Sequence, residues 1–223
     1  MNSIDNMWKS DKGFVWMLVI SILTLISSQL TDGVIGESRF IVRVGFFLFA
    51  VIAIKSSALS SVGKLIGYII PFLLLLLAIA MIRTETPFLL VLYSVVTSGF
   101  LFFIIILVVN QIFTGDKITV NKIGGGVAAY ILLGHLWASL YLTIYIIDPA
   151  SFQHNGEVIE NEDALKHLSY FSFVTLTTIG YGDIIAVNSL ARILAILEGL
   201  LGQLFPAIFI AKLVSQQIED SKK

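Results

Sequence analysis

Apolar residues fall in six long runs separated by polar breaks, at 14–30, 40–59, 65–82, 88–113, 127–147 and 190–214. Each run is roughly long enough to cross a ~30 Å hydrocarbon core at about 1.5 Å per residue. The second is the weakest, because Arg43 and Lys55 interrupt it. Barrel-type alternation is absent, so the runs read as helices, which satisfy their own backbone groups in lipid. The first run is long for a signal core and has no small-x-small cleavage site after it, so it reads as a retained helix. Between the fifth and sixth runs lie a polar, acidic stretch at 148–166, a short Thr-rich apolar segment at 170–176, and Thr-Thr-Ile-Gly-Tyr-Gly-Asp at 177–183.

Composition agrees with a membrane chain. Of 223 residues, 57% are hydrophobic and 13% charged, and the mean hydropathy is +0.93, outside the soluble range. A net charge of −1 supplies no basic field for nucleic acid. The lack of cysteine excludes disulfides and thiolate metal sites and leaves the compartment open. Loop charges set an orientation. Lys9, Lys12, Lys55, Lys64, Lys117, Lys122, Lys212, Lys222 and Lys223 fall on one side, which is expected to be cytoplasmic along with both termini. Arg39, Arg83, Lys166 and Arg192 share the other side with most of the carboxylates, so the 177–183 loop opens outward, through the cell membrane.

These breaks divide the chain into a four-helix membrane region (1–113), a Gly- and Lys-containing linker (114–126), a second membrane region (127–214) and a short cytoplasmic tail (215–223). No soluble ligand-binding domain, nucleotide loop, metal-ligand spacing or catalytic constellation is expected, so the chain does not read as an enzyme. His135, His154 and His167 are scattered along the sequence and suggest no metal. The acidic 148–166 stretch reads as a solvated loop that raises local cation concentration. Two glycines flank Tyr181, which opens backbone conformations closed to residues with a Cβ.

The stretch YFSFVTLTTIGYGD, placed between two apolar runs, resembles the pore loop of tetrameric potassium channels, and the whole chain resembles a bacterial six-helix member of that family. The resemblance implies an all-α membrane protein of six transmembrane helices, with a re-entrant pore helix and selectivity filter between helices five and six. It implies a homotetramer in the lipid bilayer that conducts K+ passively, with no cofactor and with K+ bound at filter carbonyls only. Thr178, Ile179, Gly180, Tyr181 and Gly182 match the filter, whose carbonyls replace the hydration shell of the ion. Residues 169–177 are expected as the pore helix, its C-terminal dipole favouring a cation in the cavity.

Tyr170 and Phe171 occupy positions where many relatives have tryptophans, and are expected as a cuff bracing Tyr181. This is a departure for Asp183, whose indole partner in those relatives is replaced at best by the Tyr170 hydroxyl. Thr177 precedes the filter as in many relatives. Val174 stands where some relatives carry a glutamate, so the contact that tunes inactivation there is missing. Gly199 aligns with a hinge glycine, and Gly202 is a second candidate. Pro206 aligns with the first proline of a Pro-Val-Pro bend, while Ile208 replaces the second. Leu200, Gln203, Ala207 and Ala211 are expected to face the cavity. The fourth run, 88–113, carries no charge, so voltage dependence is expected to be weak or absent. The rival readings are a weakly selective cation channel, a non-conducting modulatory subunit and, less favoured, a coupled transporter.

Two ionisable groups inside the runs need partners. Counting helical rise places His135 and Glu198 at similar depths, so a His135–Glu198 pair behind the filter is expected, with pH-sensitive conduction as its consequence. The alternative is that His135 meets a backbone carbonyl and Glu198 meets Thr175 or Thr177.

Overall fold

A computed structural model describes residues 13–30, 54, 61–80, 86–113, 119–160 and 164–221. Its elements are α1 (Gly13–Leu30), α2 (Ser61–Ala80), α3 (Pro87–Phe113), α4 (Val120–Ile147), a 3-10 turn (Pro149–Ser151), β1 (Phe152–His154), β2 (Glu157–Val158), α5 (Ala164–Leu176), β3 (Ile184–Ala186) and α6 (Ser189–Asp220). The run at 40–59 lies outside the described residues except for Ile54, and so do Arg39 and Arg43. Among the described residues, three helices are long and apolar enough to cross a membrane, at Pro87–Phe113, Val120–Ile147 and Ser189–Ile218. Phe14–Ser27 and Gly67–Ile79 are shorter apolar helices.

Several boundaries move. α4 begins at Val120, capped by Thr119, whose hydroxyl accepts from the Lys122 amide. The Gly124–Gly126 triplet, expected as part of a linker, is therefore helical. Its glycines let neighbours close in: a Cβ on Gly125 would lie 3.0 Å from Phe14, and one on Gly126 2.2 Å from the Phe209 ring. α5 starts at Ala164, one turn or more before the expected start. α6 continues to Asp220, into the expected tail, and runs unbroken through Pro206.

α4 lies at the centre of the packing. Ala128, Ala129, Leu132 and Tyr141 are fully buried, and α1, α3, α5 and α6 all lie against this helix. Between α3 and α4 the contact is partly polar. Ser98 donates to Ser139 at 3.0 Å, Ser139 to the Ser94 carbonyl at 3.1 Å, and Thr143 to Ser94 at 2.9 Å. Such hydroxyl ladders join helices where lipid supplies no hydrophobic drive for them to associate.

The 148–160 stretch is not simply a solvated loop. β1 is the middle strand of a small antiparallel sheet in the order β2-β1-β3. Asn155 and Gly156, both at positive φ (52° and 87°), make the two-residue hairpin turn between β1 and β2. Phe152 is fully buried, edge-on to Tyr141 at 5.4 Å and to Phe171 at 5.6 Å. Asn188 then ties the sheet to α6: its side chain donates to Ser151 and accepts from the Ala191 amide at 2.8 Å.

Candidate ion-conducting site

Residues 177–183 leave the C-terminal end of α5 and return to β3. Four successive amides turn back onto the last turn of that helix. Thr177 donates to the Phe173 carbonyl (3.0 Å), Thr178 to Thr175 (2.9 Å), and Ile179 and Gly180 both to Val174 (3.0 and 3.4 Å). Val174 thus supports this segment through its backbone, with its side chain buried. The Thr177 hydroxyl donates to Phe173 as well, at 2.6 Å.

The backbone then alternates. φ is positive at Thr178 (59°), Gly180 (59°) and Gly182 (81°), and at neither Ile179 nor Tyr181. Two of the three left-handed positions are glycine, the residue with no Cβ penalty there. Thr178 takes the strain of the third. Among the described residues, no carbonyl from Thr178 to Gly182 accepts a hydrogen bond. Ile179 and Tyr181 are 54% and 70% exposed within one chain, so no described part of the chain covers these two side chains.

The flanking aromatics separate. The Tyr170 hydroxyl interacts electrostatically with the Asp183 side chain, and the Asp183 carbonyl accepts from the Asn155 amide at 2.9 Å. Phe171 does not join a cuff around Tyr181 within the chain. It packs into the core between Tyr141 (5.1 Å) and Phe152, because adjacent helix positions point about 100° apart.

Behind the segment lies a polar cluster that differs from the one the sequence suggests. Glu198, fully buried, is held by the Tyr141 hydroxyl on one oxygen (2.5 Å) and by Ser172 on the other (2.6 Å). Ser172 also reaches the Gly134 carbonyl at 2.8 Å. His135 instead meets the Thr24 hydroxyl of α1 at 3.3 Å and the Phe173 ring edge. The expected His135–Glu198 pair is therefore replaced by two separate sets of contacts, and Thr175 and Thr177 are not the partners of Glu198. The depth count was too coarse. Tyr141, six residues nearer the outer end of α4, matches Glu198 better, and it faces α6.

On α6, Gly202 is buried where a Cβ would lie 2.0 Å from the Leu176 carbonyl oxygen. Its role in this geometry is close approach rather than bending: Tyr130 locks the same point, reaching the Leu176 carbonyl at 2.9 Å and the Gly202 carbonyl at 3.3 Å. Gly199 has nothing within 4 Å of a Cβ. Leu200, Gln203, Ala207 and Ala211 are all exposed within the chain, and Pro206 is partly so. Tyr130, Tyr141 and Ser172 are inconspicuous in the sequence because they carry no charge. The signal for them was Glu198, an acid that required donors.

One further pair has no local signal. His154 of β1 and His167 of α5 bring their rings to 4.7 Å, although 13 residues separate them in sequence. Among the described residues, no group of three metal-ligating side chains forms.

Residues 128–218, which hold most of α4, the sheet, α5, the 177–183 segment and nearly all of α6, match a family model described as "Ion channel". The chain is similar to "Potassium channel K2" of Plasmodium falciparum (isolate 3D7), 32% identical over 88 residues, 40% of this chain and 6% of that one. It is similar to "Potassium channel K2" of Plasmodium berghei (strain Anka), 35% identical over 87 residues, 39% of this chain and 6% of that one. The matched segment is thus a small part of those relatives. Together with the three long apolar helices found among the described residues, these similarities support a membrane protein whose residues 128–218 resemble an ion-channel module.

Proposed function

We propose that four copies of this chain assemble around one axis and conduct K+ passively and selectively through the segment Thr178–Gly182. The observation that carries this reading is the alternating backbone of that segment. Where left- and right-handed residues alternate, successive carbonyls turn to the same side, whereas in an ordinary strand they alternate. With the amides of residues 177–180 directed onto α5, the opposite side is left to carbonyl oxygen. One chain offers one oxygen at each level. A dehydrated alkali cation needs several, and four chains supply a ring.

The family match at 128–218 and the names of the two relatives support the same conclusion. The Asn155 amide holds the Asp183 carbonyl at the outer end of the segment, which favours a selective filter over a loosely held, weakly selective one. α3 carries no charged residue along Pro87–Phe113, so it offers no charges to move through the membrane field, and conduction is expected to be nearly independent of voltage. Loop charges favour a filter opening outward from the cell membrane with both termini cytoplasmic.

Purified protein in liposomes tests this directly. Potassium flux well above sodium flux, blocked by barium, is the expected result. Equal fluxes of the two ions would replace this reading with a weakly selective channel. No flux from the protein alone would replace it with a modulatory subunit.

A further inference from the structure

Glu198 is a carboxyl at 0% exposure in the interior of an apolar helix, and the oxygens around it can be counted against the protons available to them. Three close oxygen–oxygen contacts exist: Tyr141 to Glu198 at 2.5 Å, Ser172 to Glu198 at 2.6 Å, and Ser172 to the Gly134 carbonyl at 2.8 Å. Each is 2.8 Å or shorter, closer than the 2.9 and 3.3 Å over which Tyr130 shares one hydroxyl proton between two carbonyls, and contacts this short each need their own proton. Tyr141 and Ser172 carry one hydroxyl proton each, and a backbone carbonyl carries none. Two protons cannot fill three contacts. An ionised Glu198 would leave one pair of oxygens facing each other without a proton, in a site closed to water.

The third proton has one place to reside. We propose that Glu198 is a neutral carboxylic acid and a positioning residue for the pore helix: it donates to Ser172, Ser172 donates to the Gly134 carbonyl, and Tyr141 donates to the other carboxyl oxygen. This directed chain joins α6 to α5 and α5 to α4 immediately behind the filter segment. For its effect on conduction it rests on the channel reading above.

The groups around the acid agree with a neutral form. From α4 come the Tyr141 hydroxyl and, at longer range, the Tyr130 hydroxyl. From α5 comes the Ser172 hydroxyl. His135, six residues before Tyr141, meets Thr24 of α1. On α6 itself, Arg192 bonds the Ala186 carbonyl at the outer end. When the carboxyl O–H breaks and its proton leaves to bulk water, Ser172 can satisfy either Glu198 or Gly134 but not both. A charge is then left where the membrane interior disfavours it. Alkaline solution should therefore loosen α5 and reduce conduction reversibly.

Infrared difference spectroscopy of the reconstituted full-length protein tests the protonation state. Wild type minus Glu198→Gln is expected to show the carbonyl stretch of a protonated carboxyl at neutral pH. That band should fade on alkaline titration together with potassium flux. Glu198→Gln reproduces the neutral acid, with its amide N–H toward Ser172 and its oxygen toward Tyr141. It should conduct like the wild type and lose the alkaline fall in flux, a readout that a merely space-filling role would not move. The proposal is overturned if the difference spectrum lacks the protonated-carboxyl band at neutral pH, or if Glu198→Gln keeps the wild-type pH profile. Absence of potassium flux from the wild type at every pH would sink the conduction reading alone, and the infrared difference would still decide the state of Glu198.

Discussion

α4 and α6 are both long, apolar helices, but they use their surfaces in opposite ways. In the most apolar window of α4, 61% of residues are buried inside the chain, against 17% for α6. Within these central stretches the less buried one is the more hydrophobic, with a mean hydropathy of 2.0 against 1.6. In a soluble protein that order would be reversed. Here hydropathy reports only that lipid or another apolar surface is near, while polar groups and glycines report which neighbour. α4 holds Tyr130, His135, Ser139, Tyr141 and Thr143, each with a partner in another element or on α4 itself. α6 meets its own chain at a few points, among them Glu198, Gly202 and Phe209, and leaves Leu200, Gln203, Leu204 and Ile208 uncovered. One helix organises the chain, and the other leaves most of its surface to lipid or another apolar neighbour.

The largest effect is expected where the two uses meet. Gly202→Ala would place a methyl 2.0 Å from the Leu176 carbonyl oxygen, a backbone atom that cannot turn aside. α6 would have to leave the end of α5, and Tyr130 would lose its two acceptors. Thermal unfolding in detergent should show a loss of several kcal/mol, at the upper end for an overpacked core. Gly126→Ala and Gly134→Ala meet Phe209 and Phe173 ring atoms at 2.2 and 2.6 Å. Because rings can shift, those variants should lose less. Equal losses at all three positions would mean that α6 is not fixed at Gly202.

A second test concerns the filter. Gly180→Ala and Gly182→Ala add a methyl that meets nothing within 4 Å, at φ values of +59° and +81°. The penalty is therefore conformational, roughly 1–2 kcal/mol per residue. Potassium flux should collapse while the unfolding temperature falls only modestly, by less than for Gly202→Ala. A loss of stability as large as at Gly202 would assign these glycines to packing instead.

Much of this division was legible in the sequence, and the remainder has identifiable reasons for being hidden. The apolar runs and the 177–183 motif are local patterns, and local patterns show in one chain. Gly124–Gly126 looked like a break because glycine disfavours helices in isolation; here it admits Phe14 and Phe209, which lie 83 or more residues away. The Asn155–Gly156 hairpin signal was present between residues of strand character, but an acidic surrounding made the stretch read as loop. The need of Glu198 for a partner is legible in the sequence. His135 is the ionisable residue at a similar depth, whereas neutral hydroxyls on Tyr141 and Ser172 satisfy a buried acid without a second charge.

Smaller than either glycine effect should be the result of labelling. The chain has no native cysteine, so single cysteines report cleanly. Gln203→Cys, on the uncovered face of α6, should react with a water-soluble thiol reagent and lose potassium flux as it does so. Leu132→Cys, at 0% exposure on α4, should stay unmodified. Reaction at Leu132 and protection at Gln203 would invert the roles assigned to the two helices.

The smallest effect falls three residues from the largest. Gly199 lies in the interior of α6, and a methyl added there would have no atom within 4 Å, so an alanine meets no obstacle. Glycine in a helix interior is less stable than alanine by roughly 0.5–1 kcal/mol. Gly199→Ala should therefore raise the unfolding temperature slightly, in contrast to Gly202→Ala on the same helix. Potassium flux measured on the same preparation separates two sources of motion. A helix that bends at Gly199 is stiffened by alanine, so flux should fall as stability rises. Unchanged flux would leave Pro206, where the helix lacks one amide donor, as the point about which α6 can flex.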